Sequence, residues 1–516
     1  MPTAKRSAAG SRARASRSRT GTTNFRLLTC ALLALAAAML APHAASASST
    51  QLSLLQDDRE LLGGTGEDPA AAMTEIRNLG VDIVRTNVIY HKVYRSPRDR
   101  RKPSGFNAAD PNSSRYNWQP TDRLVELARQ NGMQVMMTLT GPGPFFSSSS
   151  PGRCSRIPCT FRPKPSEFAG FAAAAVKRYR GKVAYYSIWN EPNIDKNWLA
   201  PRFQRTRHGT VDSAGAMYRK LFIAGYKAVA TYDPARRNRV LFGETAAIAS
   251  PLPLLRAALC LDPDGKPFTG RLRALHGCSG RVSRLNIGGI AVHPYNQGGY
   301  GGPLTRTNRK VALPLAYMPR LHRLMDGAAR RGRIPRGKGI WVTEFGYQTR
   351  PPDPMGVSPS AQARYINESD RLFFADRRVR SVAQYELTDV PERDEFNTGL
   401  RFVQSRGGQE KPSYAAYRVP IVVTRRSSGS VEVYGQVRPA RLAGGSTTVA
   451  VQMRIGGVFT TLTQPRTNSR GIFRVNVNHS GAGSARWRLV WQNAGTGQML
   501  LSREATPGKP LRYYKN

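Results

Sequence analysis

The sequence predicts a (β/α)8 barrel of the TIM type, followed by a small all-β, sandwich-like domain. Three observations carry this. The chain has 516 residues, too many for one ordinary domain and well suited to a barrel plus a smaller module. Between residues 51 and 420, short apolar runs alternate with amphipathic helical stretches, the pattern of βα units around a parallel sheet. Beyond Pro420 the helical period disappears and period-two alternation replaces it.

Residues 1–47 stand apart from both domains. Lys5, Arg6, Arg12, Arg14, Arg17, Arg19 and Arg26 form a cationic start, Leu27 to Leu40 is an apolar run, and Ala45-Ser46-Ala47 is a small-residue cleavage pattern. That order reads as a secretory signal peptide, with an apolar stretch too short for a comfortable membrane span. The expected location is therefore extracellular. Cys30 would leave with the peptide, and Cys154, Cys159, Cys260 and Cys278 remain. An even count in an exported protein suggests disulfides, and three connectivities are possible. The local pairs Cys154–Cys159 and Cys260–Cys278 are favoured. There is no C-x-x-C and no His-x-x-x-His, so a structural zinc site is not expected, nor any metal or cofactor.

Within 51–420, eight candidate strands lie near Gln51–Leu55, Asp82–Val88, Gln134–Leu139, Ala184–Trp189, Val240–Gly243, Ile287–Val292, Gly339–Thr343 and Ser381–Tyr385. Helical patterns separate them. Phe168, Phe171, Ala172, Ala175, Val176 and Tyr179 fall on one helix face, and Met217–Tyr232, Tyr317–Arg331 and Ser358–Ala375 read the same way. Eight such units match an elaborated barrel, with a doubly wound open sheet as the alternative. In 421–516, Val431, Val433 and Val437 alternate with Glu432, Tyr434 and Gln436, and Val449, Val451 and Met453 repeat the period. This accessory domain should bury its own core and be dispensable for chemistry on a small substrate. Trp487 and Trp491 share a strand face, in the core or as a glycan platform.

The formal charge is +45, with basic residues spread along the whole chain. That field suits an anionic partner, such as a cell-wall polymer or an acidic polysaccharide. Arg438, Arg441, Arg486 and Arg488 in the C-terminal domain are candidates for such contacts. No RNP-like, zinc-finger or helix-turn-helix pattern accompanies the charge, which argues against nucleic acid.

Cleaving a glycosidic bond needs two carboxyl groups astride it, one protonated and one ionised. In a barrel, working side chains sit at the C-terminal ends of the strands. Strand-end acids here are Glu191, Glu244, Glu344, Glu386 and Asp389. Spacing alone does not choose among them, because such acids also serve as helix caps and ion-pair partners.

Local sequence does choose. Tyr186-Ser187-Ile188-Trp189-Asn190-Glu191-Pro192-Asn193 resembles the Asn-Glu-Pro signature of the large clan of retaining (β/α)8 glycosidases, and Ile340-Trp341-Val342-Thr343-Glu344-Phe345-Gly346 resembles its nucleophile strand. Ala291-Val292-His293-Pro294-Tyr295 resembles the sixth strand, Val84-Arg85-Thr86 the second, and Lys411-Pro412-Ser413-Tyr414-Ala415-Ala416-Tyr417 the end of such catalytic domains. The likeness spans about residues 53 to 418 and is nearest in style to glycoside hydrolase families 5 and 39. It implies Glu191 as acid/base and Glu344 as nucleophile. It also implies Asn190 on the sugar's 2-hydroxyl, Arg85 near the nucleophile, His293 lining the site, and the Tyr295 hydroxyl bonded to Glu344. Trp198 is expected to bind substrate, and Phe145, Phe146 and Tyr347 are further rings that could stack on sugar. Two places depart from the pattern. Strand eight carries Tyr385 where the clan often has Trp, and Thr140-Gly141-Pro142 stands where family 5 usually has His. The expected function is a secreted retaining O-glycosidase acting on a poly- or oligosaccharide. The rival is a non-catalytic glycan- or cell-wall-binding protein on the same scaffold.

Overall fold

The computed structural model describes residues 50–64, 67–296, 299–392 and 396–515; the expected signal peptide and Cys30 lie outside the described residues. Eight parallel strands close into a barrel: Leu52–Gln56, Ile83–Ile89, Gln134–Thr140, Tyr185–Ile188, Val240–Ala246, Gly289–His293, Gly339–Val342 and Val379–Tyr385. They are called strands one to eight below. Each pairs with its sequence neighbour, and strand eight returns to strand one in register Leu52↔Ser381 through Gln56↔Tyr385. The sheet is closed, so the open doubly wound alternative does not apply. Strands run apolar because both faces are covered, by helices outside and by packed side chains within. Helix starts follow capping chemistry. Asp212 accepts from the Gly215 N–H at the head of Ser213–Tyr232, and Ser358 accepts from Ala361 N–H at the head of Pro359–Ala375.

Cys154 is bonded to Cys159 and Cys260 to Cys278, the two local pairings. The second bridge closes a loop between strands five and six with its own small core of Ala257, Cys260, Phe268 and Cys278.

After Pro420 come two antiparallel sheets. One orders Ile421–Ser427, Ser430–Gln436 and Ile472–Asn478. The other orders Val458–Thr463, Ala450–Ile455, Trp487–Gln492 and Met499–Leu501. They share a core in which Trp487 and Trp491 are fully buried, each with its indole N–H donated internally, to the Ala482 carbonyl and to Thr447. These tryptophans are core residues and present no glycan platform.

The sandwich does not stand clear of the barrel. Phe374 from the last barrel helix packs with Val422, Tyr434 and Ile472. Arg438 is buried, paired at 2.9 Å with buried Asp370, and lies over the Tyr417 ring at 4.1 Å. Asp82, just before strand two, accepts from Arg470 at 2.7 Å and sits 3.3 Å from Arg441. A Cβ at Gly80 would run into the Arg438 backbone. Arg438 and Arg441, read above as available to an anionic surface, are therefore committed to the barrel. Dispensability has to be revised for the same reason. Removing the sandwich would bare an apolar face and leave the Asp370 and Asp82 carboxylates without their cations. All these contacts lie before strand two or on helices Pro359–Ala375 and Pro412–Arg418, away from the strand ends that carry the acids.

Candidate active site

The chain leaves strand four through two left-handed residues, Trp189 (φ 70°) and Glu191 (φ 38°). Glu244 lies within strand five at φ 44°, where the register with strand six shifts, and Glu386 follows strand eight at φ 68°. An L-residue in that region costs roughly 1–2 kcal/mol, so these turns are held by their surroundings. Their effect is to aim side chains across the mouth of the barrel. The Trp189 ring lies over Gly141, where any Cβ would collide with it. This explains the departure after strand three: the place expected to carry His is filled from strand four.

Arg85, on strand two, is fully buried at the centre. It grips Glu244 with two bonds, Nε to Oε1 at 3.1 Å and Nη2 to Oε2 at 3.0 Å. Nη1 reaches Glu344 at 2.7 Å, and Nη2 also donates to Asn190 Oδ1 at 2.8 Å and Asn87 Oδ1 at 3.2 Å. Thr138 adds a bond to Glu244 at 3.2 Å. The guanidinium fork matches carboxylates at several edges at once, which a lysine ammonium does not do.

His293, at the end of strand six, places Nδ1 at 2.9 Å from Glu191 and 3.4 Å from Glu344. One oxygen of each glutamate and His293 Nδ1 all lie within 4.8 Å of one another. Burial alone would lower the imidazole's pKa, but Glu344 and Glu191 outweigh it and raise it above the ordinary value. Burial pushes Glu344 up from the usual carboxylate range, opposed by His293 and Arg85. Arg85 and His293 are the two basic groups set against the carboxyls of Glu244, Glu344 and Glu191. The same trio has the donor set for a divalent cation. To seat one would mean breaking the His293 contacts and competing with Arg85 for Glu344.

Other expected residues divide into two groups. Asn190 is buried, its backbone N–H bonded to Thr140 and its Oδ1 taken by Arg85, which leaves its amide N–H groups to donate elsewhere. Tyr295 is at the site, but its buried hydroxyl has no hydrogen-bond partner among the described residues, so it does not bond Glu344 as the resemblance implied. Trp198 is half-buried in the loop after strand four and lines no cavity described below. Phe145, Phe146 and Tyr347 are buried, the last with its hydroxyl on Ser369, and offer no face to a sugar. Tyr385 does face the mouth. With Phe396, its ring centroid 6.3 Å away, it lines a cavity of about 620 Å³ together with Asp58, Asn87, Lys92 and Glu386. Sequence reasoning gave no role to Glu244 and overlooked Phe396. The Gly243-Glu244 step at a strand end was the available signal for the former; nothing local marked the latter.

No family model matches the chain, and no curated protein matches it in sequence. Solved structures do overlap with it. A glucosidase from Croceicoccus marinus shares 11% identity over 84% of this chain and 94% of its own, at a TM-score of 0.47. A GH10 endoxylanase retrieved from sugarcane soil metagenome shares 11% over 72% and 96%, at 0.42. The β-glycosidase from the hyperthermophile Thermosphaera aggregans shares 13% over 71% and 95%, at 0.41. The closed eight-stranded barrel is the fold that the resemblance on strands two, four, six and seven implied.

Proposed function

We propose that the chain is a retaining glycoside hydrolase acting on O-glycosidic bonds of a poly- or oligosaccharide, with Glu344 as nucleophile and Glu191 as acid/base. One observation carries this reading: oxygens of the two glutamates lie within 4.8 Å of each other on either side of His293, above a buried arginine. So close an approach of their oxygens favours covalent double displacement, for which the carboxyl groups stand roughly 5 Å apart, over inversion, for which about 6.5–9.5 Å admits a water. Glu344, gripped by Arg85, attacks the anomeric carbon. Glu191, the more exposed of the two, gives its proton to the leaving oxygen and then takes one from water. Asn190, its oxygen pinned by Arg85, donates an N–H to the sugar's 2-hydroxyl. Export fits the two cystines, since such bonds persist in oxidising compartments.

The test is turnover on a panel of nitrophenyl glycosides and polysaccharides, followed by proton NMR of the first product formed. The expected product keeps the anomeric configuration of the substrate, and Glu344→Gln abolishes its formation. Inverted product would overturn the mechanism, and cleavage of nothing in the panel would favour a binding protein.

A further inference from the structure

A second cavity, of about 560 Å³, opens beside the catalytic centre over the ends of strands five and six. It is lined by Ile248, Tyr295, Asn296, Arg306, Asn308 and Arg309, among others. Tyr295 joins it to the chemistry, standing two residues beyond His293 and packing its ring against Phe396 at 5.3 Å, which lines the first cavity. The two cavities thus meet across the mouth of the barrel.

Three features distinguish this end of the cleft. First, two of its lining residues each carry a buried polar atom with no partner among the described residues, the Tyr295 hydroxyl and Asn296 Oδ1. The Asn296 amide N–H is spent on the Gly302 carbonyl, so its oxygen is left as an acceptor. Buried polar atoms are nearly always bonded, so these two side chains have hydrogen-bonding capacity to offer a ligand's hydroxyls on turning toward the cavity. Second, the lining holds two arginines and, among the described residues, no carboxylate. The other cavity holds Asp58, Glu386 and Glu392 beside Arg59 and Lys92. Third, the basic loop is tied down. The Arg306 guanidinium lies 5.1 Å from the Tyr514 ring, whose hydroxyl bonds the Leu304 carbonyl and whose backbone N–H bonds the Ala316 carbonyl. Arg320 spans the Arg309 and Ala312 carbonyls, and the Tyr317 hydroxyl bridges Thr307 N–H and C=O. Arg306, its guanidinium braced on Tyr514, loses less freedom when it closes on an anion, and Arg309 is carried on a backbone held by Arg320.

We propose that this cavity is a subsite for a carboxylate-bearing sugar, a uronic acid residue next to the cleaved bond, held by Arg306 and Arg309. The proposal rests on the glycosidase reading and gives it a substrate class. The guanidinium forks would take the planar carboxylate, while Tyr295 and Asn296 would take ring hydroxyls. An end of the cleft lined by arginines without carboxylates also favours the approach of an acidic polymer from that side.

The test needs no turnover. Full-length protein carrying Glu191→Gln is titrated with D-glucuronate and D-galacturonate, each against its neutral counterpart, D-glucose and D-galactose, and with glucose 6-sulfate. The expected result is that at least one uronate binds about tenfold or more tighter than its neutral partner, the worth of one charge-assisted contact. Arg306→Gln with Arg309→Gln should erase that preference. Arg336→Gln with Arg377→Gln, an exposed pair at the opposite end of the barrel, should leave it intact and so rule out the general positive field. No uronate preference, a preference that survives the Arg306/Arg309 change, or tighter binding of the sulfate would each overturn the proposal. The glycosidase reading fails separately. A uronate preference that depends on Arg306 and Arg309, found in a protein that cleaves no glycoside, would leave the subsite standing and remove the enzyme.

Discussion

The two ends of the barrel solve the same backbone problem with different residues. At the base, turns leading into strands two, three, four and seven take a positive φ at Gly80, Gly132, Gly181 and Gly332. Glycine pays no steric penalty there. At the mouth, positive φ falls on Trp189, Glu191, Glu244 and Glu386. Charge is also handled differently. The base pairs Arg438 with Asp370 beneath a tyrosine ring and seals them in. The mouth shares Arg85 between two carboxylates and leaves Glu191 partly open to solvent. The contrast teaches where this molecule accepts strain: the base is relaxed and docked, and the mouth holds costly geometry that only a function needs.

The sharpest way to break this comparison is Arg85→Met. If Arg85 is what holds the mouth together, its loss strands Glu244 and Glu344 as buried charges. The expected cost is about 3–5 kcal/mol of stability along with loss of activity, read by denaturant unfolding and kinetics. A variant as stable as the parent would mean the carboxylates are already neutral.

The base is tested by two matched glycines. Gly132→Ala meets open space and should cost about 1 kcal/mol for its φ of 65° alone. Gly80→Ala carries a similar backbone penalty and also drives a methyl into the Arg438 backbone, so its cost should be severalfold larger. Equal losses in thermal unfolding would show that the sandwich is not seated on this turn.

The smallest expected effect is at Glu386. Burial holds its carboxyl well above the ordinary range, reinforced by Asp57 and Asp389 and opposed by Lys411. The folded state therefore keeps a proton that the unfolded chain gives up. Stability falls as pH rises from the unfolded value through the folded one. Glu386→Gln has no proton to lose, so its melting temperature should match the parent's near pH 4 and exceed it by a few degrees near pH 8. The same difference at both pH values would remove titration as the cause.

The barrel was legible because its strands are buried on both faces, so apolar runs alone mark all eight. Legibility failed where polar residues are part of a strand. Strand five was read as stopping at Gly243 but runs to Ala246, because Glu244 and Thr245 are buried and Glu244 is satisfied by Arg85. That partner lies 159 residues away, and no local pattern announces it. Glu191, Glu344, Asn190 and His293 stand out in the sequence because their neighbours form motifs, and the fold brings them together at the mouth. Arg438 and Arg441 read as surface cations because a sequence does not show which arginines meet a carboxylate from another layer. The motif around Tyr295 sets it two residues beyond His293, yet the partner of its hydroxyl depends on ångström-scale geometry.

The loop closed by Cys260 and Cys278 has its own small core, with the His276 ring stacked on Phe268 at 3.9 Å. A segment that buries its own apolar groups can open without pulling on the barrel strands. It is thus a graft site on a rigid frame. Reduction would loosen it as a local event, and its sequence can drift, lengthen or be exchanged among descendants of this chain while strands five and six keep their register.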